Sequence, residues 1–254
     1  MNQKHFGFIE PRIVPEDYVL GGGKLPTKVI CDDGQWPELL VSHEQQNLFN
    51  IETYNCTGFF TTTAYEMLLK YQHRDERNFS DRALGIMAGT TPPGNTPNKV
   101  AHTAHKQGLI PESLLPFDAH LTFVSDYFSP NPLPQPLYDA GLALLDKYEL
   151  GYEWTFIGGG IKEKNEKMIE ALRYSPIGIS VFGWTEKDGM YIQESPPNHW
   201  TGCIGYVKGQ YWIIKDSYPP FVKRIPWGSD FAFSMRYSIG VKTASPKKWY
   251  SFFG

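Results

Sequence analysis

The spacing of apolar residues changes part-way along this chain, and that change limits the folds open to it. Up to Tyr174 apolar side chains recur at three and four residues; from Ile177 onward they alternate. The first spacing marks one face of a helix, the second a half-buried strand. The pattern predicts helices over 57–73, 80–88, 98–107, 137–150 and 162–174. Ser80 or Asp81 suits the N-cap of the second. Gly108 stops the third, and Ser175-Pro176 stops the last, because a residue before proline avoids the helical region. Beyond, Ile177–Phe182 reads as a strand, and Trp200–Val207 with Tyr211–Lys215 as a hairpin around Lys208-Gly209-Gln210. Residues 231–241 supply one or two more strands. Helices first and strands after imply an α+β fold, a helical lobe beside a twisted antiparallel sheet. Residues 1–46 read as extended chain with turns and a flexible joint at Gly21-Gly22-Gly23. The proline-rich stretch 129–136 is a stiff connection that crosses between lobes. The expected organisation is one domain over 1–254, with a helical lobe over about 36–130 and a sheet lobe over about 131–254 plus an N-terminal strand.

A chain of 254 residues, 41% apolar and 15% aromatic, buries a sizeable core without staples. Its net charge of −3 and lack of a long basic run give a nucleic-acid role no electrostatic support. It has no 18-residue apolar run to span a membrane. Its first residues lack the apolar core of a signal peptide. The three cysteines, at 31, 56 and 203, lie far apart and show no metal-ligand spacing. No disulfide is expected; a reducing compartment or a virion fits, as does a secreted protein that does not rely on disulfides. His102 and His105 share a helix face but have no third ligand nearby, which favours a solvated pair over a metal site. Neither Gly21-Gly22-Gly23-Lys24 nor Gly158-Gly159-Gly160 has phosphate-loop spacing. No metal or cofactor is expected. The aromatic tail Trp249-Tyr250-Ser251-Phe252-Phe253 reads as a packed end that can also dock a partner.

One cysteine has partners that make it chemically interesting. Cys56 stands where the polar turn Tyr54-Asn55 runs into an apolar helix. A thiol at a helix start faces free backbone N–H groups and the positive end of the helix dipole, which favour thiolate. His199 opens one strand and Asp216 closes the next, so paired strands bring the two within reach of each other. A thiol nucleophile needs an imidazole base, and the imidazole needs a third group to orient it. Taken singly, each residue has a plainer explanation: a buried thiol, a strand histidine, an aspartate in a turn.

The chain resembles the papain-like (cathepsin-like) cysteine proteases over about residues 25–240. The resemblance rests on Asn198-His199, Ile204-Gly205-Tyr206 and Tyr211-Trp212-Ile213-Ile214-Lys215-Asp216-Ser217-Tyr218. It rests also on Gly108-Leu109-Ile110-Pro111-Glu112 with Leu115-Pro116-Phe117, and on Met168–Leu172 with Ser175–Val181. Glu66 follows Cys56 by ten residues in the same helix, and Cys56 to His199 spans 143 residues, inside the ~130–150 of papain-type enzymes. The resemblance implies a two-lobed cysteine peptidase with Cys56 as nucleophile, His199 as base and Asp216 as orienting group. It implies Gln46 as oxyanion donor, with Asn50 as the alternative, and Gly94, Asn198 and Tyr218 along the substrate groove. The implied partner is a peptide or protein substrate.

Departures from the family are several. Thr57 follows the cysteine where the family has Trp; Asp216 replaces its Asn; Tyr218 replaces a Trp that covers the His–Asn hydrogen bond. The family's paired glycines shrink to Gly94, its disulfides are absent, and only about two dozen residues precede the mature-like start at Leu25-Pro26, too few for a long propeptide. Two further readings stay open: a catalytically silent binding or structural protein on this fold, and a cysteine amidase acting on cell-wall peptides.

Overall fold

Helix α1 (Cys56–His73) is buried on every side from Cys56 to Leu69, which only a helix at the centre of a molecule can afford. It ends at Arg74, whose left-handed backbone returns its N–H to Leu69 O. The computed structural model describes residues 5–14, 17, 28–194 and 196–242. Around α1 pack α2 (Asp81–Met87) and α3 (Pro97–Gln107). Ser80 caps α2, its hydroxyl accepting from Ala83 N at 2.9 Å. Gly108 ends α3 with φ 74°, and a Cβ there would sit 1.8 Å from Gly141 O, so no other residue fits. A short α4 (Val124–Tyr127) and then α5 (Gln135–Lys147) complete this half.

The expected helix over 137–150 stops at Lys147, and Tyr148 turns into strand β1 (Tyr148–Ile157). Tyr148, Leu150, Trp154 and Phe156 are buried along it, an alternating aromatic set that pairs better as strand than as a fourth helical turn. Next come α6 (Ile161–Leu172), β2 (Ile177–Val181), the small hairpin β3 (Thr185–Lys187) and β4 (Met190–Ile192), β5 (His199–Val207), β6 (Tyr211–Lys215), β7 (Val222–Pro226) and β8 (Phe233–Val241). The pattern change had not indicated β1, β3, β4 or β7. Six strands form one antiparallel sheet in the order β1-β8-β2-β5-β6-β7. The architecture is α+β, a helical half against a twisted antiparallel sheet.

The contact between the halves is close. A Cβ on Gly202 in β5 would lie 1.7 Å from the Phe60 ring of α1. Backbone therefore meets side chain directly, and the first turns of α1 are pressed against β5. Trp154, Trp200, Trp212, Phe156 and Tyr237 fill the core behind this contact. Residues 28–46 form no strand; Trp36 anchors them, donating from its backbone N–H to Ile204 O and from its indole to Leu172 O. Among the described residues no helix is long and apolar enough to cross a membrane. The joint at Gly21-Gly22-Gly23 and the aromatic tail from Trp249 lie outside the described residues.

Candidate active site

Strand pairing builds the polar half of the site. His199 opens β5 opposite Val181, and one step past the Gly202–Lys215 pair Asp216 lies across from Thr201. Alternate residues of a strand share a face, so His199, Thr201 and Asp216 converge. His199 Nε2 meets Asp216 Oδ1 at 2.7 Å, and Thr201 Oγ1, which donates to Lys215 O at 2.7 Å, lies 3.2 Å from the same oxygen. His199 is fully buried and Asp216 nearly so. Burial pushes the Asp216 carboxyl up, but His199 and Lys223 more than offset it and hold it below the usual carboxylate range. An ionised Asp216 makes Nε2 the donor toward it, and in a neutral imidazole that leaves the lone pair on Nδ1. Nδ1 is buried and has no hydrogen-bond partner among the described residues.

The cysteine arrives from the other half. Cys56 is the first residue of α1 and is fully buried. With Thr201, Asp216 and Ser217 it lines a water-sized cavity of about 10 Å³. Burial pushes its thiol well up, an effect that outweighs the N–H groups of Trp200 and Thr57 that favour thiolate. The carboxylates of Glu52 and Asp216 push it further in the same direction. The helix start alone therefore does not create a thiolate while the site is covered. Cys31 and Cys203 are free and buried as well, with thiols pushed up to about 11 and about 12.

The cover is the chain's own N-terminal segment. Phe6 donates from its N–H to Asn198 O at 3.2 Å, and its carbonyl accepts from Gln46 Nε2 at 2.6 Å. Gly7 O accepts from Asn95 N and Ile9 N donates to Asn95 O, both at 3.0 Å, so Phe8 bridges Asn95 in parallel. The Phe6 ring stands 5.4 Å from the His199 ring and 5.2 Å from the Tyr218 ring, and Phe8 stacks on Trp200. Gly7, at φ 111°, is so close to Tyr54 that a Cβ would lie 2.2 Å from its carbonyl oxygen. Gly94 is as close to Gly7, 1.9 Å by the same measure. Gly94, Asn198 and Tyr218, implied along a substrate groove, thus all touch this segment.

Gln46 is fully buried beside them, its Oε1 accepting from Ser217 Oγ at 3.1 Å and its Nε2 also donating to Glu52 Oε1 at 2.9 Å. Asn50, the alternative donor, is exposed. Tyr218 packs edge-on to the His199 ring at 5.4 Å and donates its hydroxyl to Glu52. His102 and His105 face β1 instead, meeting the Tyr152 hydroxyl and Leu150 O.

Sequence reasoning missed four participants. Lys223 donates to Asp216 Oδ2 at 2.6 Å. Glu52 sits between Gln46 and Tyr218, and Phe6 lies over His199. Thr201, two residues after His199, was open to the alternation rule once His199 was placed on a strand.

No family model matches the chain, and no curated protein matches it. Solved structures do. Procathepsin L 3 from the larval midgut of Tenebrio molitor aligns with a TM-score of 0.59 and 18% identity over 92% of this chain and 76% of that one. Procathepsin L2 from the same source gives 0.61 and 14% over 92% and 78%. The bromelain protease of Ananas comosus, solved with the inhibitor E64, gives 0.56 and 16% over 80% and 97%. The α+β architecture described above is the fold of the papain-like cysteine proteases.

Proposed function

We propose that the chain is a cysteine peptidase that cleaves peptide bonds through Cys56, His199 and Asp216. The observation that carries this reading is the buried His199–Asp216 pair, 2.7 Å apart, with the opposite imidazole nitrogen unpartnered. In this mechanism the helical lobe, about 36–130, brings Cys56, and the sheet lobe, about 131–254, brings His199 and Asp216. His199 Nδ1 takes the thiol proton, and the Cys56 sulfur attacks the substrate carbonyl. Asp216 fixes the imidazole so that Nδ1 faces the reaction. Gln46 Nε2 and the Cys56 backbone N–H bind the oxyanion, worth about 3 kcal/mol per donor. The imidazolium then protonates the leaving amine. Water, deprotonated by the same nitrogen, hydrolyses the thioester and frees the sulfur.

The test is cleavage of a mixed peptide library, read by mass spectrometry. Wild type is compared with Cys56→Ala and His199→Ala, each also in a Gly7→Val background that keeps the N-terminal segment from seating. Each active-site loss is expected to lower kcat/KM by about 10³-fold or more. Equal background cleavage in all variants overturns the reading. A silent scaffold then takes its place, which the complete burial of Cys56 and His199 favours. Cleavage of cell-wall peptides alone selects the amidase.

A further inference from the structure

The acid that orients His199 is not free to act as a lone negative charge. Asp216 Oδ1 receives His199, with Thr201 Oγ1 3.2 Å away; Oδ2 receives Lys223 Nζ at 2.6 Å, with the two charged side chains 0% and 1% exposed. Lys223 spends its remaining N–H groups on Tyr218 O at 2.5 Å and Pro220 O at 2.7 Å. An ammonium has three donors, and all three are used. Its charge also lies 5.0 Å from the centre of the Trp184 ring and 5.5 Å from that of Tyr191. The turn from Asp216 to Phe221, closed by Asp216 N to Phe221 O, and the pairing of Lys223 with Ile214 fix the lysine behind the acid.

Two opposite charges at 2.6 Å sum to zero, so Lys223 offsets much of the field that Asp216 alone would put on a third group. Toward His199 the couple offers one acceptor oxygen and a sum of zero, which is what a carboxamide offers. We propose that Asp216 and Lys223 act together as a neutral orienting unit, with Lys223 as the positioning residue that makes an aspartate usable where related enzymes carry asparagine. The proposal builds on the peptidase reading, but its signature is electrostatic. The other titratable groups around the couple include Lys215 next in chain, Cys56 and Glu44 across the cavity, Tyr191 on β4 with Glu186 and Arg224 beside it, and Tyr218 with Glu52 beyond it. Lys223 is the group that donates to Asp216 Oδ2.

The consequence is a sign pattern. Lys223→Met leaves an undivided carboxylate beside the imidazole, and His199 holds its proton more tightly. Asp216→Asn leaves a buried ammonium on two carbonyls, and His199 gives its proton up more easily. The double variant Asp216→Asn/Lys223→Met is neutral again and keeps an acceptor oxygen. The experiment is NMR titration of the His199 ring in the full-length protein, alongside thermal melts and peptide hydrolysis. The Met variant is expected to titrate about one pH unit or more above wild type, the Asn variant about one or more below, and the double within about half a unit of it. Both single variants are expected to melt lower than the double. Hydrolysis, where present, is expected to fall about 100-fold or more in each single variant and to recover by at least about tenfold in the double. Single shifts in the same direction, or a double no closer to wild type than the singles, overturn the proposal. If a single variant does not fold, a folded double supports the neutral couple and an unfolded double overturns it. If no variant hydrolyses peptide but the titrations follow the pattern, the couple stands and the peptidase reading falls.

Discussion

Glu66 shows how far burial reshapes one residue. It lies on α1 ten residues after Cys56, 3% exposed, with Oε1 accepting from Phe79 N at 2.7 Å. Burial, with Glu44 adding to it, pushes its carboxyl up to about 8, against the opposing Phe79 N–H and Lys215. A carboxyl whose folded value is raised stabilises the fold fully below its unfolded value, near 4.3, and loses that contribution as pH rises through about 8. Glu66→Gln keeps the acceptor and cannot ionise. Its advantage over wild type should therefore be absent near pH 4, grow through neutrality and level off above about 8, reaching about 3–5 kcal/mol. Melting curves across pH measure this, and a pH-independent difference would refute it. The residue's position was legible from its spacing to Cys56, but its charge state was not. That state depends on Glu44 and Lys215, which only the fold brings near.

Among the elements, β5 and α1 define the site, because their closeness sets where Cys56 stands relative to His199. Gly202→Ala would drive a methyl into the Phe60 ring, 1.7 Å away, so strand and helix must separate. A loss of about 2–4 kcal/mol is expected, read by denaturant melts, together with a loss of any Cys56-dependent activity larger than the stability loss explains. A variant as stable as wild type would show that the contact has slack. The elements were mostly legible: the ends of β5 and β6 put His199 beside Asp216 as strand pairing requires. Lys223 was not. On β7 it points inward with Ile225, while Val222 and Arg224 point outward. Each face carries one apolar and one basic residue, so alternation cannot say which basic residue is buried. The helix-to-strand switch at Tyr148 escaped for a related reason, since its aromatic residues suit either period until β8 arrives as a partner.

At the scale of the whole molecule, the segment from His5 to Ile9 reaches Gln46, Asn95 and Asn198, all distant in sequence. Nothing in its local pattern names those partners, so only the fold reveals where it goes. Gly7→Val adds a branched side chain where even one carbon meets Tyr54 O at 2.2 Å, and it should expel the segment without altering a groove residue. Cys56 should then react with iodoacetamide about tenfold or more faster than in wild type, while Cys31 and Cys203 keep their rates, as peptide mapping after timed alkylation would report. An unchanged Cys56 rate would mean that the segment is not what shields it. Because cover and groove belong to one chain, the fraction of molecules standing open is a property of the molecule and not of its concentration. A tether of this kind acts at roughly millimolar effective concentration, so dilution does not release it. In the proposed peptidase every ligand that needs the groove open then meets the same handicap: its apparent dissociation constant is multiplied by the reciprocal of the open fraction, one common factor for tight and weak ligands alike.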